Sequence, residues 1–224
     1  GNRLLDYKEC FEIMGKDRNS YSKTDLEATF MRMKEDHMLN GQLKPAYNVQ
    51  IAVENYFIIH GYVSNDRTDY NTLIPVVRKH IQAFEEKLKE VTADSGYCSE
   101  KNLLFLKENK IESYIKLQDH EKRKTRAYKE DIGKYYNMTD RIFEDEHYYI
   151  CHDGRELRHI GTETKKQNGY IQTFEVYGCA DCSDCVHKAK CLYKYDPEKD
   201  ADKNKIMKIN EQWETLKEAS HANI

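Results

Sequence analysis

A short apolar strand, a sharp turn and a helix follow one another in this chain, and they constrain its fold more than any other feature. Val91 and Ala93 predict a short buried strand, and Gly96 permits a tight turn directly after it. Ser99 is a good N-cap for the helix SEKNLLFLKENK, and a further short strand, IESYIKL, comes next. Strand, helix and strand in this order are typical of a parallel crossover. We therefore expect an α/β fold.

One carboxylate, Asp94, stands where the first of these strands should end. In open α/β sheets, functional side chains gather at the carboxyl ends of the strands, so Asp94 is a candidate catalytic residue. An aspartate between a strand and a helix is also a common turn former or cap. Both interpretations stay open on spacing alone.

The other elements are predicted from local patterns of apolar and turn-forming residues. We expect a helix within 1–20 that ends at Gly15, irregular structure over 21–46, a hairpin of Tyr47–Val53 and Tyr56–Val63, an amphipathic helix from Thr72 to Leu88, polar β-like sequence over 119–178, and a final helix that starts near Ala201 and holds Ile206, Ile209, Trp213 and Leu216. Hairpin, helix, strand, helix and strand is the order of the second half of a ribonuclease H-like fold that lacks its first strand. The predicted fold class is thus α/β, a partial ribonuclease H-like core.

The composition favours a soluble chain with much exposed surface. Hydrophobic residues make up 39% and charged residues 33% of the 224 residues, against typical values of about 45–50% and about 25%. No apolar stretch approaches the roughly 18 residues that a membrane helix needs, and the N-terminus has no signal-peptide pattern. We expect a cytoplasmic protein without a membrane segment.

Two local basic patches are the candidate DNA contacts, because a net charge of −3 gives the chain no overall attraction for nucleic acid. They are Lys116–Lys134 and Lys188–Lys208, each with seven cations against four acids. Mixed charge runs are more often solvated faces than binding sites. The predicted DNA-binding residues are the cations of the densest part of the first patch: Lys122, Arg123, Lys124 and Arg126.

Four of the seven cysteines lie close together, at C-x2-C-x2-C-x5-C spacing, and a fifth is brought near them by the strands that we expect between them. They are Cys179, Cys182, Cys185, Cys191 and Cys151. In a reducing compartment such density favours a metal over disulfides, and four of these five thiolates would suit tetrahedral, structural Zn²⁺. An iron–sulfur cluster and unligated thiols are the alternatives, and His152 or His187 could replace a cysteine. The spacing does not tell which cysteine is spare.

Three stretches together resemble the DDE transposases of bacterial insertion sequences, in the branch with a cysteine-rich insertion in the catalytic domain. They are YSKTDLEATFMRMKEDHM at 21–38, QLKPAYNVQIAVENYFIIHGYVSNDRTDYNTLIP at 42–75 and ADSGYCSE at 93–100. The resemblance covers nearly the whole chain. KPAYNVQIAVE, the ADSGY run and the late cysteines are its most specific parts.

The resemblance implies metal-dependent cleavage and strand transfer of DNA, with Mg²⁺ or Mn²⁺ held by three carboxylates. Asp94 would be the second acid, and Tyr97 of the same motif would pack beneath or beside the site. The first acid of the family, in a D-G-T strand, and the third, a glutamate before a Phe-Gly pair, find no match here. We therefore expect a fragment that is inactive alone.

Other acids could replace the two that are missing. In order of preference, the candidates are Asp25 and Glu54, then Asp66 and Asp69, and last Glu211, Glu214 and Glu218 on the final helix.

The predicted organisation has four parts: a helix and linker over 1–40, the partial ribonuclease H-like core over 41–118, the cysteine-rich β insertion over 119–200, and over 201–224 the start of a helix that returns to the core. DNA is the expected partner, and a homodimer is expected because such a core exposes unpaired strand edges. Two rival interpretations remain: a zinc-binding interaction module for nucleic acid or protein without catalysis, and a decayed remnant without function.

Overall fold

The computed structural model describes residues 2–16, 18–33, 35–84, 87–167 and 169–224. The chain divides into two compact units, one made of 1–117 with Ala219–Ile224 and the other of Gln118–Glu218. Both mix helices and strands, in agreement with the predicted α/β class. No described helix is both long and apolar enough to cross a bilayer.

Three helices and six strands are described within 1–117 of the first unit: α1 (Asn2–Met14), β1 (Thr29–Arg32), β2 (Leu43–Ala46), β3 (Asn48–Glu54), β4 (Phe57–Ser64), α2 (Leu73–Ala83), β5 (Glu90–Ala93), α3 (Glu100–Glu108) and β6 (Glu112–Ile115). Its buried core comes mainly from the second half of this list: Leu73, Val77, Leu103, Leu106, Ile111, Ile115 and Leu117. The parallel crossover is confirmed, because β5 pairs with β6 in parallel, with Ala93 opposite Ile115.

The strands of this unit form three separate pairs, β1–β2, β3–β4 and β5–β6. A ribonuclease H-like fold would join the β3–β4 hairpin and the parallel β5–β6 pair in one sheet. These pairs are separate among the described residues, so the ribonuclease H-like core stays a prediction. The prediction of irregular structure over 21–46 is wrong in part, because β1 pairs antiparallel with β2 in this stretch. Pro45 lies in β2, whose other edge is unpaired in the part of the chain that is described, and an edge strand tolerates proline.

The β3–β4 hairpin is confirmed, and its two faces have an unusual polarity. Asn55 and Tyr56 form its loop with positive φ angles of 48° and 70°, as in a two-residue type I′ turn. The inward face carries polar side chains, including the buried Gln50 and His60. The outward face is apolar, with Val49 opposite Val63 and Ile51 opposite Gly61. Polar groups therefore face the interior of this unit.

Helix α2 ends at Ala83, earlier than the predicted Leu88. Phe84 is already extended, with φ −122° and ψ 136°, and its ring packs against His80 at 4.8 Å and His60 at 5.6 Å. Residues 85 and 86 lie outside the described part of the chain. The contact with His60 holds the Phe84 side chain against the hairpin, and Phe84 does not continue the helix.

The second unit is built on a five-stranded antiparallel sheet of order β11-β10-β9-β8-β7. Its elements are α4 (His120–Arg123), α5 (Arg126–Lys129), β7 (Thr139–Phe143), β8 (Glu146–Ile150), β9 (Glu156–Gln167), β10 (Tyr170–Cys179), α6 (Lys188–Cys191), β11 (Ile206–Ile209) and most of α7 (Glu211–Ala222). The core is formed by Tyr149, Leu157, Tyr177, Cys179, Cys182, Met207 and Ile209.

The predicted start of the final helix near Ala201 is wrong. Residues Ile206–Ile209 form a strand that pairs with β10, and Met207 and Ile209 are buried while the residues between and before them are exposed. Helix α7 begins only at Glu211. Alternate burial with a period of two replaces the helical spacing that the sequence suggested.

Candidate active site

Asp94 lies at the carboxyl end of the parallel strand β5, as predicted. One oxygen, Oδ1, accepts a 2.7 Å hydrogen bond from the backbone N–H of Gly96 and so caps the single 3₁₀ turn Ser95–Tyr97. The side chain thus acts as a turn former. It is also exposed, and its Oδ2 accepts no hydrogen bond from the described residues. The cap and a functional role are therefore compatible.

A second carboxylate, Asp69, faces Asp94 across Gly96. A Cβ atom placed on Gly96 would lie 2.9 Å from Asp94 Oδ1 and 3.0 Å from Asp69 Oδ2. The two oxygens therefore border the same small volume, which only a glycine leaves open. Asp69 belongs to the single 3₁₀ turn Asp69–Asn71 before α2.

Two amides of the β3–β4 hairpin orient Asp69. Asn48 Nδ2 and Gln50 Nε2 donate to Asp69 Oδ1 at 2.8 and 3.0 Å, and Gln50 Nε2 also donates to Asn48 Oδ1 at 2.7 Å. Gln50 is 6% exposed. Because both amides bind the same oxygen, Asp69 Oδ2 receives no hydrogen bond from the described residues and remains available on the Gly96 side.

Tyr97 completes this network between the strand and the turn. Its hydroxyl donates to Gln50 Oε1. Burial, and after it the negative charges of Asp69 and Asp94, raise the pKa of Tyr97 to about 12. The phenol therefore keeps its proton at neutral pH and acts as a hydrogen-bond donor beside the two carboxylates.

A buried amide, Asn102 of α3, fixes the two turns relative to each other. Its Nδ2 donates to the carbonyl oxygen of Tyr70 at 3.0 Å and to that of Tyr97 at 2.8 Å. The side chain is 0% exposed. The Oγ1 of Thr72 also donates to the carbonyl oxygen of Asp69 at 2.9 Å. The backbone on both sides of the carboxylate pair is thereby held.

The other acids that the sequence offered are used elsewhere. Asp25 accepts hydrogen bonds from two backbone N–H groups and from the Tyr47 hydroxyl at 2.9 Å, and it stabilises its own turn. Asp66 Oδ2 accepts from Ser64 Oγ at 3.1 Å. Glu54 is exposed at the end of β3. The three glutamates of the last helix belong to the second unit, where Glu214 pairs with Lys217.

The predicted DNA-binding cations are largely paired within their own helices. Ion pairs join Arg123 to Asp119 at 2.9 Å, Lys124 to Glu121 at 3.2 Å and Arg126 to Glu130 at 2.8 Å. Lys122 alone of the four has no such partner among the described residues. The second basic patch is structural in part, because Lys188 and Lys205 donate to backbone carbonyls. The charges of these paired cations in both basic patches are less available to DNA than the sequence suggests.

Four of the five cysteines of the predicted metal site adjoin the core of the second unit. Cys179 and Cys182 belong to that core, and Cys151 and Cys185 pack against it. Burial raises the pKa of the Cys179 thiol to about 11, with Cys182 and Cys151 as further causes. Burial also raises the pKa of the Cys191 thiol, and the nearby thiols of Cys151, Cys182 and Cys185 contribute to the same rise. In the described chain, however, no group of three or more Cys, His, Asp or Glu side chains has an arrangement that could hold a metal ion.

The sequence pointed to Asp94 but placed Asp69 behind other acids, and it missed Asn48 and Gln50. One signal was present: these two polar residues alternate with Val49 and Ile51 along β3, so a polar face was readable. Nothing in the local sequence indicated that this face would meet Asp69.

Comparison with known proteins identifies a family for most of the chain. Residues 18–218 match the family described as Transposase DDE domain. No curated protein and no solved structure matches the chain. The match covers most of the chain and includes both carboxylates and the network around them. The chain belongs to the Transposase DDE domain family.

Proposed function

We propose that this chain carries the second carboxylate of a DDE active site, in an enzyme that cleaves and joins DNA during transposition. The observation that carries the proposal is the pair of carboxylates, Asp94 and Asp69, at the carboxyl end of β5, with one oxygen on each free of hydrogen bonds from the described residues. Family membership supplies the reaction class. The insertion-sequence origin and the branch with a cysteine-rich insertion are part of the same proposal.

The carboxylate pair fits the divalent metal that DDE transposases use. Asp94 and Asp69 offer hard oxygen ligands, the type that Mg²⁺ and Mn²⁺ prefer. These two residues would hold the ion. A metal bound there would supply activation of a water or a 3′-hydroxyl and stabilisation of the leaving oxygen of the phosphodiester.

The residues around the pair prepare it for this role. Asn48 and Gln50 bind Asp69 Oδ1 and so keep Oδ2 on the side of Gly96. Tyr97 holds Gln50 in turn. Residues that hydrogen-bond to ligating carboxylates orient them, and mutation of these residues typically lowers metal affinity by about 10–100-fold. We infer that the hairpin amides serve this positioning role.

Binding of Mn²⁺ tests the proposal directly. Titration followed by the electron paramagnetic resonance of free Mn²⁺ should show one weak site that is lost in Asp94→Asn and weakened in Asp69→Asn. Asp66→Asn is the matched control, because Asp66 lies in the same loop as Asp69 but is bound to Ser64. Equal Mn²⁺ binding by all four proteins would contradict the proposal.

We also propose that this chain alone does not cleave DNA. Only two carboxylates gather at the site within the described residues, where the reaction uses three. Incubation with terminal-repeat DNA and Mn²⁺ should give no strand cleavage. Cleavage that disappears in Asp94→Ala would show that this chain is active alone.

We propose that four of the five clustered cysteines bind a structural Zn²⁺. The clustering supports the proposal: Cys179, Cys182, Cys151 and Cys185 lie in or against one core, and Cys151, Cys182 and Cys185 are among the causes that raise the pKa of Cys191. Rearrangement of the thiols on binding is required, because the described geometry holds no metal-ligating group. Elemental analysis of protein expressed with zinc should give one Zn²⁺ per chain and less in the double variant Cys179→Ser/Cys182→Ser, which leaves only three of the five thiols. Unchanged zinc in this double variant would contradict the assignment.

The rival proposal, a zinc-binding module without catalysis, shares the cysteine site. It predicts no Mn²⁺ site at Asp94, so the same titration separates the two. A homodimer is a further part of the proposal, and the six strands of the first unit support it because all lie at the edges of two-stranded pairs. Light scattering coupled to size-exclusion chromatography would give the mass, and a monomer at all concentrations would contradict the dimer.

A further inference from the structure

A small polar cavity lies in the first unit, apart from the carboxylate pair. Its volume is about 210 Å³, below the roughly 300–1,000 Å³ of sites for drug-sized ligands. Three cationic side chains, Lys16, Arg18 and Arg67, contribute to its lining, together with Thr29 and Asn65. A cavity of this size and composition suits a compact anion rather than a large organic molecule.

The charge of this cavity is positive among its described lining residues, with Asp66 as the single acid against three cations. Lys16 and Arg67 are exposed and have no hydrogen-bond or ion-pair partner in the part of the chain described. Arg18 is held rigidly, because its Nη1 donates to the backbone carbonyls of residues 26 and 27 at 2.8 and 2.9 Å. Two exposed cations and one fixed cation therefore surround the space.

The Asp66 carboxylate of this lining is hydrogen-bonded to Ser64 and, in the described chain, not ion-paired with the cations. Its Oδ2 accepts from Ser64 Oγ at 3.1 Å, and the same hydroxyl accepts from the backbone N–H of Asp66 at 3.0 Å. No ion pair joins it to Lys16 or Arg67 among the described residues. Three cations against one carboxylate leave the described lining with a net positive charge, which attracts an anion.

A buried hydroxyl of the lining, that of Thr29, is unsatisfied. Thr29 is 2% exposed, and its Oγ1 has no hydrogen-bond partner among the described residues. A buried hydroxyl without a partner costs free energy, and an oxygen of a bound anion would restore the missing hydrogen bond. This is the observation that separates the cavity from a chance group of surface cations.

We propose that this cavity binds one phosphodiester group of the DNA backbone, contacted by Arg67, Lys16 and the hydroxyl of Thr29. Arg, Lys, Thr and Asn side chains are the usual partners of backbone phosphates, and such contacts fix the register of the duplex without reading its sequence. Asn65 and Arg67 belong to the loop between β4 and α2 that also carries Asp69. A phosphate held here would place a DNA strand beside the loop of the carboxylate pair. The DNA source of the phosphate rests on the proposed function.

Two probes test this site on the whole chain. Inorganic phosphate added to ¹⁵N-labelled protein should shift the amide signals of Thr29 and Asn65 in a saturable manner. Fluorescent duplex DNA should bind Arg67→Gln and Lys16→Gln more weakly by the same factor for every sequence, and the salt dependence of log K should fall by about 1 for each variant. Lys23→Gln, which removes an exposed cation outside this lining, should change the salt dependence less.

Thr29→Val separates a ligand contact from a structural role. The substitution removes a hydroxyl that has no partner, so thermal stability should be unchanged or higher while the response to phosphate weakens. Absence of phosphate-induced shifts at Thr29 and Asn65 would overturn the site, whatever the DNA result. Phosphate shifts at these amides without any DNA binding would retain the anion site and overturn its assignment to DNA. DNA binding with phosphate shifts but an unchanged salt dependence in Arg67→Gln would also overturn that assignment.

Discussion

Replacement of Gln50 by leucine should destabilise the first unit by about 3 kcal/mol. Gln50 makes three hydrogen bonds at a site where it is 6% exposed, to Asn48, Asp69 and Tyr97. A bond to a charged group contributes about 1.5–3 kcal/mol and a neutral one about 0.5–1.5 kcal/mol. We take the lower half of these ranges, because Asp69 keeps its bond from Asn48 and is only partly buried.

Native-state hydrogen exchange is the suitable assay, because the chain has two units and a single unfolding midpoint would mix them. Amides of β3 and β4 should lose about 3 kcal/mol of protection in Gln50→Leu. Gln82→Leu is the matched control, since Gln82 is exposed on α2 and has no partner among the described residues. Equal protection in the two variants would refute the reasoning, because it would mean that the network around Asp69 contributes nothing to stability.

Three further perturbations test other parts of the first unit. Burial, and then the charges of His80 and Lys79, lower the pKa of His60; because the unfolded state then binds the proton first, stability should fall as the pH drops below about 6.5. Hydrogen-exchange protection of the β3 and β4 amides, measured against pH, should show this fall, and the curve should flatten in His60→Leu. Gly96→Ala places a methyl group against both carboxylates and should weaken Mn²⁺ binding about tenfold or more by the same titration. Asn102→Leu leaves two turn carbonyls without their donor and should cost the amides of α3 about 2–4 kcal/mol of hydrogen-exchange protection; unchanged protection would show that the turns are held by other contacts.

The elements that the sequence predicts well have short-range signals. The N-cap at Ser99 is confirmed, since its side chain accepts from the N–H of Asn102, and α3 follows directly. The hairpin is confirmed because strand-forming residues flank a two-residue loop with positive φ angles. The missed strand β1 has only four residues and pairs across a loop of ten residues, so no local pattern marks it. The sequence spacing of Ile206 and Ile209 fits a helix equally well, and only the pairing with β10 decides for a strand.

The residues of the candidate site also divide into those with short-range sequence signals and those placed by distant contacts. Asp94 was predicted because its strand, turn and cap are contiguous in the sequence. Asp69 was not singled out, because its position depends on amides of β3 about twenty residues earlier and on Asn102 about thirty residues later. Contacts of this range are set by tertiary packing, which a single sequence does not display.

The hairpin also limits how this protein can vary in evolution. Side chains alternate between the two faces of a strand, so a shift of one residue in the pairing exchanges the inward and outward sets. A single-residue insertion or deletion in the Asn55–Tyr56 turn would shift β4 against β3 and turn Ser64 and His60 outward while Val63 turned inward. A deletion within β3 itself would replace Asn48 or Gln50 beside Asp69 by an apolar residue. Length changes in this hairpin should therefore be tolerated in steps of two residues, and single steps should be rare among active relatives.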